Sequence, residues 1–158
     1  MRGLARLGWM TRLIFLYGTM QPALAHGPAV RLAAALEDGR RATVRGSLHA
    51  VILPQGVYPV LWPGGGGRVA GQVFTVPALP GWLEAVDAYE NCDPGNEDGS
   101  EYLRRNLRAA LTDDGADGTM VTAQAYITCD RPCPDLPVIR HGDFARFLRE
   151  TGLPPFVG

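Results

Sequence analysis

Two short stretches of this sequence contain groups that could do acid–base chemistry together. In the first, an apolar run ends in Tyr17-Gly18-Thr19-Met20, which is typical of a strand entering a glycine turn with exposed backbone N–H groups. In the second, Glu90 ends a segment with helical periodicity. An anion-binding turn combined with a desolvated carboxyl group is enough for a small acid–base catalyst.

The helix predicted over residues 77–90 places Glu90 in line with apolar side chains. Leu79, Leu83 and Val86 precede it at a spacing that keeps all four residues on one face. Loss of hydration favours the neutral form of a carboxyl group and raises its pKa, and the helix dipole acts in the same direction in the last turn. Alternatively, the helix ends before Glu90 and the side chain reaches water; the residue types leave both possibilities open.

Composition and charge limit the class of protein. The chain has 158 residues, of which 46% are hydrophobic and 20% are charged, as in an ordinary globular protein. A formal net charge of −1 argues against nucleic acid or acidic lipid as a partner. No apolar run approaches the roughly 20 residues that span a bilayer. We therefore expect a cytoplasmic protein that binds neither nucleic acid nor membrane, and the oligomeric state stays open.

The N-terminal segment has some features of a targeting signal. Arginines precede an apolar stretch, and residues 23–25 resemble a signal-peptidase site. However, the apolar run is short and the glycine turn interrupts it, so we predict a first strand over residues 12–17. We further predict a loosely ordered extension over residues 1–9 and a single domain over residues 10–158.

The cysteines give no sign of a disulfide framework or a metal centre. Cys92, Cys129 and Cys133 make an odd number without a repeated spacing, which favours reduced thiols. Cys129 and Cys133 have no second ligand pair at a spacing typical of zinc sites. We therefore expect neither a metal nor a cofactor.

The first half of the chain predicts short strands separated by turns. Strands are expected over residues 43–48, where apolar and polar side chains alternate, and over residues 58–61 and 69–76. The glycine-rich residues 63–67 predict a hairpin loop. Residues 29–34 fit either a helical turn or an extended segment.

The second half predicts a hairpin and a closing helix. Strands over residues 102–111 and 119–128 are joined by turn residues, and Tyr126 belongs to a mixed face that could line a pocket. The acidic residues 91–101 predict a solvated loop. Residues 143–150 predict a helix, and Gly152 is placed to end it.

Six segments, in order along nearly the whole chain, resemble the gamma-glutamylcyclotransferase-like family. Tyr17-Gly18-Thr19-Met20 is similar to its YGTL-type opening, with Met20 in place of leucine. Residues 86–90 are similar to its LDxxE segment. The other similar segments are residues 46–59 (G-x-L…G-x-YP), 69–74 (V-x-G-E-V-F, with Gln72 in place of glutamate), 102–104 (Y-x-R) and 141–144 (SGDW).

The resemblance implies an α+β fold, a small mixed β-barrel with flanking helices. It also implies an enzyme in which the α-amine of a γ-glutamyl group attacks its own γ-carbonyl, releasing 5-oxoproline and an amine or amino acid. By analogy Glu90 is the general acid/base. The γ-glutamyl substrate would be bound by Tyr17, Gly18, Thr19, Met20 and Tyr126. Two alternatives remain: a catalytically inactive small-ligand binding module on the same fold, and an amide hydrolase in which Glu90 activates water.

Overall fold

The computed structural model describes residues 12–115, 118–128 and 135–156. The predicted extension over residues 1–9 lies outside these ranges, as do Cys129 and Cys133. The elements in chain order are β1 (Leu13–Leu16), α1 (Pro28–Ala33), β2 (Arg40–Leu53), β3 (Gly56–Thr75), α2 (Trp82–Tyr89), β4 (Tyr102–Leu111), β5 (Met120–Thr128), β6 (Val138–Ile139) and α3 (Phe144–Thr151), with a 3-10 turn at Glu97–Gly99.

Five of the strands form a closed barrel. They pair in the order β3-β1-β5-β4-β2, and β2 pairs again with β3, which closes the ring. All of these pairings are antiparallel except that of β1 with β5, which is parallel and has a single register pair, Ile14 with Gln124. β6 pairs with β2 at Leu48 and His49 and flanks the barrel. The predicted fold, a small mixed barrel with flanking helices, is confirmed.

Alternation along the strands separates two apolar clusters. Val44 and Leu48 of β2 pack inside the barrel with Ala125 of β5, because side chains two residues apart share a face. The other face of β1, at Ile14 and Leu16, belongs to a second cluster with α1 and α2. This second cluster fixes the position of α2, and therefore of Glu90, against the outside of the barrel.

The helix predicted over residues 77–90 is shorter than expected. It begins at Trp82, because Gly81 has a left-handed backbone (φ 79°) and Pro80 disfavours a helical conformation at the residue before it. Leu79 therefore lies outside the helix and is 56% exposed, so its predicted place on the apolar face is wrong. Leu83 and Val86 of that face are buried as predicted, and Glu90, which is half-buried, directly follows the last helical residue.

The predicted hairpin loop at residues 63–67 is wrong. β3 runs continuously past these glycines, and the turn between β2 and β3 lies at residues 54–55. Arg45 pairs with Arg68 whereas Gly46 pairs with Pro63, so residues 64–67 form a bulge that has no strand-pairing register with β2.

Several local predictions are confirmed. The predicted hairpin is formed by β4 and β5 in register. Residues 29–34, for which the sequence left a helical turn and an extended segment open, are largely helical, in α1. Helix α3 begins after Asp143, whose carboxylate accepts a hydrogen bond from the backbone N–H of Arg146, and ends at Gly152 with φ 72°. Within the described ranges, no helix is long and apolar enough to cross a membrane.

Candidate active site

A cavity of about 410 Å³ opens between the turn after β1, the tip of the β2–β3 hairpin and the end of α2. All six residues singled out from the sequence line it: Tyr17, Gly18, Thr19, Met20, Glu90 and Tyr126. The cavity also has walls that the sequence did not indicate, formed by Leu53, Tyr58, Pro59, Tyr89, Asn91, Glu101, Tyr102 and Phe156, with Phe15 and Leu16 of β1 at its base.

The turn after β1 leaves backbone donors beside this cavity. The backbone N–H of Gln21 donates to the carbonyl of Gly18 at 3.0 Å, which closes the turn. The N–H groups of Gly18, Thr19 and Met20 have no acceptor among the residues that the structure describes. A Cβ atom on residue 18 would lie 2.7 Å from Cγ of Pro59, so only glycine fits there. Unpaired N–H groups in consecutive residues are a typical binding place for an anionic group.

Glu90 lacks the partners that usually accompany a carboxylate. Its backbone N–H continues the helix by donating to Val86 at 2.9 Å, but its carboxyl group has no hydrogen bond or ion pair with any described residue. Burial is the main cause that raises its pKa to about 8, and the negative charges of Glu101 and Asp87 add to the shift. The group can therefore exchange a proton near neutral pH.

Asp87 is the main site residue that sequence reasoning missed. The helical pattern places it at the edge of the apolar face, but it is only 6% exposed. Arg104 of β4 donates from Nε and Nη2 to its two oxygens at 2.9 and 3.0 Å, and the Tyr126 hydroxyl donates to Oδ1 at 2.6 Å. We call these three residues the aspartate network. Its only signal in the sequence is that Asp87 and Arg104 fall in two of the segments resembling the family.

Buried tyrosines supply neutral hydroxyl groups around the cavity. Tyr17 donates a hydrogen bond to the backbone carbonyl of Tyr126, and Tyr102 donates to the carbonyl of Pro59 at 2.7 Å. Burial raises the pKa of Tyr17, Tyr102 and Tyr126 above the ordinary tyrosine value. These phenols stay protonated at all physiological pH values and act as fixed donors. The hydroxyl groups of Thr19 and Tyr89 are 3.4 Å apart at the same wall.

Glu101 belongs to the cavity, although its acidic loop was predicted as solvated surface. The residue is exposed, but it lines the cavity mouth. It accepts hydrogen bonds from the Tyr58 hydroxyl at 2.8 Å and from Nδ2 of Asn91 at 3.1 Å. Burial, together with this bond and the charge of Glu101, raises the pKa of Tyr58 to about 12.

Other polar groups lie outside the cavity. Residues on the mixed face of β5 line two different pockets. Thr122 and Gln124 line a separate polar pocket, and of these three residues only Tyr126 lines the cavity described above. Ser47 and His49 are hydrogen-bonded at 3.0 Å but do not line the cavity, so they supply no nucleophile to it. In the described part of the chain, no cluster of histidine, cysteine, aspartate and glutamate side chains could hold a metal ion.

The sequence and the fold match one family. The sequence model of the family described as gamma-glutamyl cyclotransferase, AIG2-like, matches residues 14–146. The chain therefore belongs to this family, which includes gamma-glutamyl cyclotransferases. Among curated proteins, no significant match to the sequence was found.

Solved structures share the fold at low sequence identity. An AIG2-like protein from Mus musculus is 24% identical with a TM-score of 0.60, over 85% of this chain and 88% of that one. A protein from Arabidopsis thaliana is 24% identical with a TM-score of 0.56, over 80% and 74% of the two chains. A structure titled gamma-glutamyl cyclotransferase is 14% identical with a TM-score of 0.50, over 75% and 66%. These likenesses extend to the fold alone.

Proposed function

We propose that this protein is a gamma-glutamyl cyclotransferase that converts a γ-glutamyl compound into 5-oxoproline and a free amine or amino acid, with Glu90 as general acid/base. The proposal depends on one observation, that two kinds of reactive group line the same cavity. An unpaired carboxyl group with a raised pKa and a turn with unpaired backbone N–H groups face the same space.

The substrate would bind with its glutamyl end against the turn after β1. The N–H groups of Gly18, Thr19 and Met20 would hold its anionic groups, since they have no acceptor among the described residues. The α-ammonium group would then lie toward Glu90. Within the described part of the chain, no arginine or histidine lines the cavity to compete for this position.

The reaction needs only proton transfers once the substrate is placed. The carboxylate of Glu90 takes a proton from the α-ammonium group, and the freed amine attacks the γ-carbonyl carbon. A carbon–nitrogen bond forms, which closes the lactam ring. The bond to the leaving nitrogen then breaks as Glu90 returns the proton to that nitrogen. The ring nitrogen also gives up its second proton, which leaves with the released amine as an ammonium group, so that Glu90 is again a carboxylate. Because the nucleophile is tethered to the carbonyl, ring closure needs no covalent enzyme intermediate.

The decisive experiment is incubation with a panel of γ-glutamyl amines and γ-glutamyl dipeptides, followed by mass spectrometry. We expect 5-oxoproline in equal amount to the released amine. Glu90→Gln should lower this turnover about a thousandfold, because it removes the proton-transfer group. Glu84→Gln, on an exposed position of the same helix, is the matched control and should keep normal turnover.

Other products would contradict the proposal. Free glutamate instead of 5-oxoproline would mean that Glu90 activates water. Binding of γ-glutamyl compounds without any turnover would identify a binding module on the same fold. A Glu90→Gln variant with a near-normal rate would remove Glu90 from the mechanism.

A further inference from the structure

All five tyrosine residues of the chain line the cavity, and four of them have their hydroxyl hydrogen engaged within the protein. Tyr17 and Tyr102 donate to backbone carbonyl groups, whereas Tyr58 and Tyr126 donate to carboxylates. The direction of these four bonds is fixed, because carbonyl and carboxylate oxygens only accept. None of the four hydroxyl groups can therefore donate to a substrate without breaking a bond that it already makes.

The hydroxyl group of Tyr89 is different. Its one hydrogen-bond partner among the described residues is the hydroxyl group of Thr19, at 3.4 Å. Two hydroxyl groups have two hydrogens to donate, and the single bond between them uses one. Burial raises the pKa of Tyr89, and the bond with Thr19 opposes this rise, as it does when Thr19 is the donor. The hydrogen of Tyr89 is then left for an acceptor in the cavity.

Tyr89 lies between the two groups on which the proposed reaction depends. It is the last residue of α2, directly before Glu90, and its hydroxyl group is beside Thr19 in the turn after β1. If the unpaired N–H groups of that turn hold the carboxylate of the glutamyl end, the γ-carbonyl oxygen needs a donor of its own. Negative charge grows on this oxygen as the ring closes, and a donor placed beforehand stabilises it.

We propose that Tyr89 is a further catalytic residue, whose hydroxyl group donates a hydrogen bond to the oxyanion that forms on the γ-carbonyl oxygen during ring closure. The inference rests on the proposed function, since it assigns a step of that reaction to Tyr89. Thr19 can keep donating to Tyr89 while Tyr89 donates to the oxyanion. The phenol keeps its own proton, so Glu90 remains the group that transfers protons. A bond to a charge that exists only near the transition state raises kcat without tightening substrate binding.

The first test removes single hydroxyl groups and compares kcat with KM. With the γ-glutamyl compound that the wild-type protein converts fastest, Tyr89→Phe should lower kcat about thirtyfold and change KM by less than about twofold. The loss is smaller than for a fully enclosed oxyanion donor, because Tyr89 is half-buried. Tyr58→Phe is the matched comparison. It removes the same atom from the same cavity, but its hydrogen is already engaged by Glu101, so kcat should fall less than about threefold.

The second test measures binding of a tetrahedral anion and needs no turnover. The probe is 2-amino-4-phosphonobutanoate, which is glutamate with a tetrahedral phosphonate in place of the γ-carboxylate. By calorimetric titration we expect its Kd to be about tenfold higher for Tyr89→Phe than for the wild-type protein, because a hydrogen bond to a charged oxygen is lost. The Kd of 5-oxoproline, which has the same carboxylate and a neutral planar carbonyl group, should be nearly equal for the two proteins. This equality also shows that the variant keeps an intact site.

Three results would overturn the inference. One is a fall in kcat for Tyr89→Phe no larger than that for Tyr58→Phe. Another is a raised KM together with equal weakening of 5-oxoproline and the phosphonate, which would place the hydroxyl group at the carboxylate of the substrate. The third is an equal Kd of the phosphonate for variant and wild-type protein. Failure of the proposed function looks different, because the wild-type protein then forms no 5-oxoproline from any γ-glutamyl compound. The two Kd comparisons still decide whether Tyr89 recognises a tetrahedral anion.

Discussion

The surroundings of Asp87 and Glu90, less than one helical turn apart at the end of α2, differ in how a negative charge is compensated. Asp87 receives two hydrogen bonds from a guanidinium group and a third from the Tyr126 hydroxyl. Glu90 receives none from the described residues, and its pKa rises to about 8. The same functional group thus becomes a structural anchor in one place and a proton-exchanging group in the other, and the partners decide which.

Asp87 influences the shape of the cavity through its hydrogen bond with Tyr126. Asp87 fixes the Tyr126 hydroxyl, and the carbonyl of Tyr126 accepts the hydroxyl of Tyr17 at the start of the turn after β1. The compensated carboxylate therefore positions one wall of the cavity, while the uncompensated carboxyl group faces into it. The clearest tests are substitutions that remove the partners of Asp87 or the carboxyl group of Glu90.

The largest effect is expected from Arg104→Met. Asp87 would lose its ion-pair partner at a site where its side chain is only 9% exposed. We expect a loss of about 4 kcal/mol in the free energy of unfolding, measured by urea denaturation. Arg105→Met is the matched control, because its pair with Glu97 is exposed on both sides and should contribute far less. Equal effects of the two substitutions would show that the aspartate network is no more important than a surface pair.

The next largest effect is the change that Glu90 causes in the free energy of unfolding as the pH rises. Its pKa is about 8 in the folded protein and near 4.5 in the unfolded chain, so folding takes up a proton between these values. The associated stability is complete below about pH 4.5 and is lost as the pH rises through about 8. Glu90→Gln should therefore stabilise the protein by about 3 kcal/mol at high pH and not at low pH, an amount that allows for partial solvent screening.

Urea denaturation at several pH values measures this difference. Glu84→Gln, at an exposed position of the same helix, should show no such pH-dependent gain. If Glu90→Gln is no more stable than the wild-type protein at high pH, then Glu90 is compensated like Asp87, and the contrast between the two carboxylates does not exist.

A smaller effect compares two buried hydroxyl groups. Tyr126→Phe removes a donor to a charged carboxylate, whereas Tyr102→Phe removes a donor to the neutral carbonyl of Pro59. Because hydrogen bonds to charged groups are stronger, we expect a loss of about 2 kcal/mol for Tyr126→Phe and about 1 kcal/mol for Tyr102→Phe. The order is checked by denaturation at one pH, and a reversed order would mean that Arg104 alone satisfies Asp87.

The smallest effect concerns the charge that Glu101 adds to the pKa of Glu90. The pH profile of kcat/KM should rise with loss of a proton from Glu90, with a midpoint at about 8. Glu101→Gln should lower this midpoint by about half a pH unit, because an exposed like charge is removed. The substrate's own titration is common to both proteins and does not affect the difference. An unchanged midpoint would show that Glu101 has no electrostatic effect on Glu90.

Much of the candidate site could be predicted from the sequence because its signals are local. The turn at residues 17–20 follows directly from an apolar run, and Glu90 follows from its place near the end of a helical pattern. The aspartate network could not be derived in this way. Arg104 reaches Asp87 only because β4 packs beside α2, and a helical pattern contains no information about a partner on another element.

Two other features that the sequence did not predict correctly have the same physical origin. Residues 63–67 look like a hairpin loop by composition, but long-range pairing of β2 with β3 on both sides makes them a bulge. Phe156 lies in a segment that carries no pattern of its own. It reaches the cavity because backbone hydrogen bonds with Val57 hold it against the β2–β3 hairpin.

The narrow parallel contact between β1 and β5 has a consequence for the order in which the protein folds. The β2–β3 and β4–β5 hairpins join neighbouring segments, but closure of the barrel must bring Ile14 to Gln124 across most of the chain. Contacts so distant in sequence have the largest loop-closure entropy, so we expect this seam to form late. The turn at residues 17–20 then reaches Glu90 only when folding is nearly complete. A bound γ-glutamyl compound should consequently slow unfolding while leaving the folding rate almost unchanged.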